Sequence, residues 1–119
     1  MNVEEFRDFC LNLPAAEECF PFDEETLVFK VLGKIFALTD LEQYPFCVNL
    51  KCDPDYAMEL REKHPEILAG WHMNKKYWNT VDFEGNLPNK FLKELTQHSY
   101  DEVVKKLTRK QKTELENYK

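Results

Sequence analysis

The chain has 119 residues, 43% of them hydrophobic, and its nine Phe, five Tyr and two Trp supply enough apolar area for a core. Only three Gly and six Pro occur, which excludes long low-complexity tracts, and 1–119 reads as a single domain without internal repeats. The net charge of −6 is uneven: residues 1–64 carry 14 acidic and 6 basic side chains, residues 65–119 carry 8 acidic and 10 basic, an asymmetry that is the one electrostatic hint of a basic face.

The opening Met1-Asn2-Val3-Glu4-Glu5-Phe6 has no basic segment leading into an apolar run, so it does not read as a signal peptide. No apolar stretch approaches the roughly 18 residues of a membrane span. The expectation is a cytoplasmic protein with no membrane partner. Cys10, Cys19, Cys47 and Cys52 contain no C-x-x-C, and adding His64, His72 and His98 makes no zinc signature. The cysteines therefore read as buried or half-buried free thiols, with no metal and no cofactor.

Val3, Phe6, Cys10 and Leu13 recur at helical spacing, widened by Phe9, and Pro14 stops that helix. An acidic link, Pro21 to Glu25, leads into a strand in which Leu27, Phe29 and Val31 alternate with Val28 and Lys30. Gly33 marks a tight connection to a partner strand, Ile35 to Leu38. After a loop at Asp40–Pro45, a third strand sets Phe46, Val48 and Leu50 against Cys47, Asn49 and Lys51. Asp53 and Pro54 start a second helix that must end near His64, before Pro65.

Trp71-His72-Met73 and Tyr77 to Phe83 then read as two strands joined through Asn74-Lys75-Lys76, a second hairpin. Pro88 opens a helix carrying Leu87, Phe91, Leu92 and Leu95. Ser99 with Glu102, and Thr108 with Gln111, have the spacing of capping boxes for further helices. The fold class expected is α+β: an antiparallel sheet of about five strands with helices packed on one face, in the order α, three strands, α, two strands, α, α.

A set of short motifs runs through the chain in a telling order. They are Phe20-Pro21-Phe22, Val28-Phe29-Lys30-Val31, Gly33-Lys34-Ile35-Phe36-Ala37, Val48-Asn49-Leu50-Lys51, His64-Pro65-Glu66-Ile67, Asn74-Lys75-Lys76-Tyr77-Trp78-Asn79 and Ser99-Tyr100. Together, over about residues 1–112, they resemble the MmcQ/YjbR-like family. Two positions depart: Asp23 stands where Gly often follows Pro-Phe, and Tyr77 where His often precedes the Trp. The resemblance implies a compact fold similar to the CyaY-like group. The family's usual name refers to a double-wing DNA-binding motif, which would make the two hairpins wings, and no catalytic residues come with it.

Affinity for DNA rests on Lys and Arg at phosphates, and sequence preference on side chains that reach base edges. Lys75 and Lys76 at the tip of the second hairpin, with Tyr77 and Asn79, are the first candidates. Lys30, Lys34 and Lys51 on the first three strands extend them, as do Lys105, Lys106, Arg109, Lys110 and Lys112 near the C-terminus. If Trp78 faces the helices, Tyr77 and Asn79 face outward, because neighbours alternate in a strand; Trp71 and Trp78 then support the hairpin from the core side. His72, beside Trp71, reads as structural. No nucleophile–base pair, P-loop or H-E-x-x-H is present, so the chain does not read as an enzyme. The reading is a non-enzymatic binding protein whose partner is double-stranded DNA. The alternative is a protein-interaction module that uses the acidic Glu4–Glu25 surface or a sheet edge.

Overall fold

The computed structural model describes residues 1–71 and 73–118. Asn2 caps helix α1 (Val3–Leu11): its side chain accepts from the Glu5 N–H while the Glu5 carboxylate accepts from the Asn2 N–H, which satisfies two donors the helix cannot. Phe6 and Cys10, one turn apart, are the fully buried positions of this helix. Helix α2 (Pro54–Lys63) starts as its sequence requires, with the Asp53 side chain accepting from the Tyr56 N–H and Pro54 in the first turn.

Six strands, β1 (Ala16–Cys19), β2 (Thr26–Val31), β3 (Lys34–Asp40), β4 (Cys47–Lys51), β5 (Ile67–Ala69) and β6 (Trp78–Asp82), form one sheet in the order β1-β2-β3-β4-β6-β5. Every neighbouring pair is antiparallel. β2 and β3 are joined by Leu32 and Gly33, both at positive φ (46° and 84°), the backbone twist that a two-residue hairpin turn needs. Helices α3 (Asn89–Lys105) and α4 (Arg109–Glu116) follow.

Alternation decides what each strand buries. Leu27, Phe29 and Val31 of β2, Val48 and Leu50 of β4, and Val81 of β6 join Phe6, Ala57, Leu60, Leu92, Leu95 and Val103 of the helices in one apolar core. Its densest part is aromatic, with the Phe6 ring edge-on to Phe29, Phe46 and Phe83 at centroid distances of 5.4, 5.9 and 5.1 Å. Among the described residues, no helix packs on the opposite face of the sheet.

Four expectations are corrected. The sheet has six strands, not five: the adjacent glutamates of Ala16-Glu17-Glu18-Cys19 hide β1, which exists because it pairs along β2 from Val31 to Val28. The second hairpin begins earlier, at β5, so Trp71, Met73 and Asn74 to Tyr77 lie in the β5–β6 connection. Ser99 opens no helix; it sits inside the continuous α3, buried. Finally, β6 faces the other way. Asn79 is 2% exposed and donates from Nδ2 to the Ala57 carbonyl at 3.4 Å, while Trp78 lies on the helix-free face. Val81 and Phe83 outweigh one tryptophan, and Asn79 shares their side of the strand.

The four cysteines are free. Burial pushes the Cys52 thiol up to about 12 and raises that of Cys10 as well. Among the described residues no group of three or more His, Cys, Asp or Glu could hold a metal ion, and no helix is long and apolar enough to cross a membrane. His72 lies outside the described residues.

Candidate nucleic-acid interface

Antiparallel pairing brings the β2–β3 turn, the end of β4 and the start of β6 to the same end of the sheet. Lys34 is the first residue of β3, Lys51 the last of β4, and Lys51 stands opposite Trp78 across the β4–β6 ladder. The C-terminus of α3 reaches this end too. The result is a groove of about 460 Å³ lined by Lys34, Ile35, Lys51, Tyr77, Val103 and Lys106. Three cationic side chains, two from strands and one from the end of a helix, thus surround one space.

Polar fasteners hold that end together. The buried Ser99 hydroxyl accepts from the Lys51 N–H at 2.8 Å and donates to the Phe36 carbonyl, tying α3 to β3 and β4 at the floor of the groove. Gln111 of α4 donates to the Leu32 carbonyl in the β2–β3 turn at 3.4 Å, which brings Arg109 and Lys110, both exposed on α4, to the same end. The β5–β6 connection is clamped from several sides. Arg61 donates to the Lys75 carbonyl at 2.8 Å and Lys75 Nζ to the Gly70 carbonyl at 3.0 Å, while the Cys52 N–H donates to the Tyr77 carbonyl at 2.7 Å.

The candidate residues therefore divide. Lys34, Lys51 and Tyr77 meet in the groove, joined by Lys106. Lys30 lies on the helix-free face next to the same turn, opposite Glu17 of β1. Lys75 is spent on its own loop. Lys76 is exposed, its Nζ 5.4 Å from the centre of the Tyr77 ring. Asn79 drops out, because it is buried against α2. The three ion pairs among the described residues, Arg7–Glu18, Lys63–Glu59 and Lys105–Glu102, use none of the groove lysines.

The helix-free face carries a second cavity, of about 370 Å³, to which no motif in the chain pointed. Leu38, Asn49 and Thr80 lie along its strands, and Phe22, Trp71 and Met73 close it from the loops. A ring of hydrogen bonds fixes one wall. The Trp71 N–H donates to the Thr80 hydroxyl at 2.9 Å, that hydroxyl donates to Asn49 Oδ1, and Asn49 Nδ2 donates back to the Trp71 carbonyl at 3.5 Å. One signal was present in the sequence: Cys47, Asn49 and Lys51 alternate with the core residues of β4, so they share a face. The concavity of that face comes from the loops folding over it.

A YjbR family model matches residues 11–102. The chain belongs to the YjbR family. It is 38% identical over 108 residues to the YbdF protein of Escherichia coli O157:H7, covering 90% of this chain and 88% of that one. To the YjbR protein of Escherichia coli K12 it is 32% identical over 105 residues, covering 87% and 88%. The crystal structure of Deinococcus radiodurans DR2400 superimposes with a TM-score of 0.89 at 47% identity, covering 96% of this chain and 87% of that chain. A protein from Pseudomonas syringae follows at 0.72 and 27%, covering 83% and 96%. The match to the YjbR family spans both hairpins and the Lys34, Ile35, Lys51 and Tyr77 side of the groove, and stops short of Val103, Lys106 and α4.

Proposed function

We propose that this YjbR-family protein is a non-enzymatic DNA-binding protein that takes phosphate oxygens into the Lys34–Lys51–Lys106 groove, with the β2–β3 turn and the β5–β6 connection as flanking wings. One observation carries this reading: three lysines that the fold does not use converge on one groove. A lysine with a structural task has a partner, as Lys63 has in Glu59 and Lys105 in Glu102. Lys34, Lys51 and Lys106 have none among the described residues, and like charges held around one space repel until an anion enters. Tyr77 adds a hydroxyl and a ring face at the groove edge, and Lys76, Arg109 and Lys110 extend the positive end. The net charge of −6 is spread over the molecule: Asp23, Asp40 and Asp82 close turns at the other end of the sheet, while Glu102 near the groove is paired with Lys105 and Asp53 caps α2.

Titration of a labelled duplex at low salt tests the reading, with binding expected in the range of roughly 1–100 µM that backbone recognition supplies. The variant combining Lys34→Gln, Lys51→Gln and Lys106→Gln should weaken binding and flatten its salt dependence by about 0.9 in log–log slope for each phosphate left unneutralised. An undiminished slope in that variant, or no binding by the wild type, rejects the groove.

A second reading draws on the acidic end. There Phe20, Phe22, Leu41 and Tyr44 are exposed on two loops joined by the Leu41 N–H to Glu25 carbonyl bond at 2.8 Å. Apolar side chains among Asp23, Glu24, Glu25 and Glu42 suit a basic, partly apolar protein segment. Captured partners unchanged by Phe22→Ser with Tyr44→Ser would count against it.

A further inference from the structure

The groove and the cavity on the helix-free face are not separate places. Ile35 lines both, and Lys51 and Asn49, one in each, are two residues apart on the same face of β4. That repeat is about 6.6–6.8 Å along a strand, the scale on which a nucleotide separates its phosphate from its base. The groove is cationic. The cavity is mainly apolar, walled by Phe22, Leu38, Trp71 and Met73, and its polar groups are neutral apart from Asp40 at the end remote from the lysines.

We infer that the ligand of this face is a single strand of nucleic acid, bound with its phosphates in the lysine groove and one unstacked base in the cavity. The inference rests on the phosphate reading above and names the form of nucleic acid that reading leaves open. A duplex keeps its bases stacked and paired, so it reaches the lysines but leaves the cavity empty. A single strand can turn a base out onto an aromatic side chain, which is the common means of holding unpaired strands.

The chemistry of the walls agrees. Trp71, 54% exposed, has its backbone held to the sheet by the Thr80–Asn49 ring, so the segment that carries its indole is anchored before any ligand arrives. Asn49 Nδ2 spends one hydrogen on the Trp71 carbonyl and has a second to donate. Asp40 accepts one backbone N–H, from Glu42 at 2.9 Å, and a carboxylate with remaining acceptor capacity is suited to a base's exocyclic amine. The same carboxylate repels phosphate. The charge gradient along the face therefore sets one polarity, with backbone at the lysine end and base towards Asp40.

The test compares three fluorescein-labelled probes of equal length at low salt: a single strand, its duplex, and an abasic single strand that keeps every phosphate. The single strand should bind about tenfold more tightly than either of the others, the worth of stacking one base. Trp71→Ala should bring the single strand down to the abasic level and leave abasic binding unchanged. Leu38→Trp, which fills the cavity from its floor, should have the same effect and serves if the first variant fails to fold. Equal, salt-dependent binding of all three probes overturns the base site and leaves the phosphate groove standing. A Trp71→Ala variant that weakens the abasic probe equally also overturns it, since the side chain would then serve only to hold the loop. No binding of any probe overturns both readings.

Discussion

At one end of the sheet three aspartates are part of the architecture; at the other the three lysines of the groove are not. Asp23 accepts from the backbone N–H groups of Glu25 and Thr26, Asp40 from that of Glu42, and Asp82 from that of Glu84. Each carboxylate closes a turn where a strand begins or ends, a routine use of Asp. Above these turns Phe6, Phe46 and Phe83 pack edge to face. Lys34, Lys51 and Lys106 close no turn and pair with no carboxylate among the described residues, and the end they occupy is held instead by Ser99, Gln111 and Arg61. Charge that a fold uses is explained by the fold. Charge that it leaves unused, gathered around a groove, is where a ligand has to be sought.

The contrast can be broken in a graded way. Phe6→Ala should cost the most, about 3–5 kcal/mol in urea unfolding, because it empties the centre of the aromatic cluster at the acidic end. Protein still folded should leave the proposed nucleic-acid binding unaltered. Ser99→Val should follow at about 2–3 kcal/mol, since the Lys51 N–H and the Phe36 carbonyl both lose a buried partner. Unlike the first variant, it should also weaken binding, and accelerated hydrogen exchange at the Lys51 amide would locate the damage.

The thiol beside the groove gives a smaller effect with a defined sign. Cys52 ordinarily titrates near 9.0, and burial first, then Asp53 and Glu102, pushes it up to about 12 in the fold. The protonated thiol is the folded form, so its contribution is complete below the ordinary value and is lost as pH rises towards about 12. Urea midpoints at about pH 8 and pH 10.5 should diverge less in Cys52→Ala than in the wild type. The smallest change is expected at the acidic end. The backbone N–H groups of Thr26 and Glu25 hold the Asp23 carboxyl below its ordinary range. Its contribution is present above that range and disappears as pH falls through the lowered value. Asp23→Asn should therefore flatten the acid side of the stability profile slightly and leave the alkaline side unchanged.

Local signals in the chain were sufficient for α1, α2 and the β2–β3–β4 meander. There, alternation, a Gly-containing turn and the Asp53-Pro54 cap all point the same way, and each acts within a few residues. β1 and β5 were not legible. Both are short edge strands, one with two adjacent glutamates and one of three residues, and their existence depends on a neighbour's free backbone groups. Ser99 misled because a capping-box spacing is also what a buried hydroxyl leaves behind when it bridges two strands from inside a helix.

The candidate site divides along the same line. Sequence alone determined that Asn49 and Lys51 share a face of β4, because alternation follows from the covalent geometry of an extended chain. It also singled out the lysines as the residues to watch. Only the tertiary structure decided that Lys34, Lys51 and Lys106 meet, since they are distant in the chain and strand pairing with α3 packing brings them together. It also decided that Asn79 turns towards the helices and Trp78 away from them. Which side of β6 the helices cover was settled by the summed burial of Val81 and Phe83, a cooperative choice that no single residue makes.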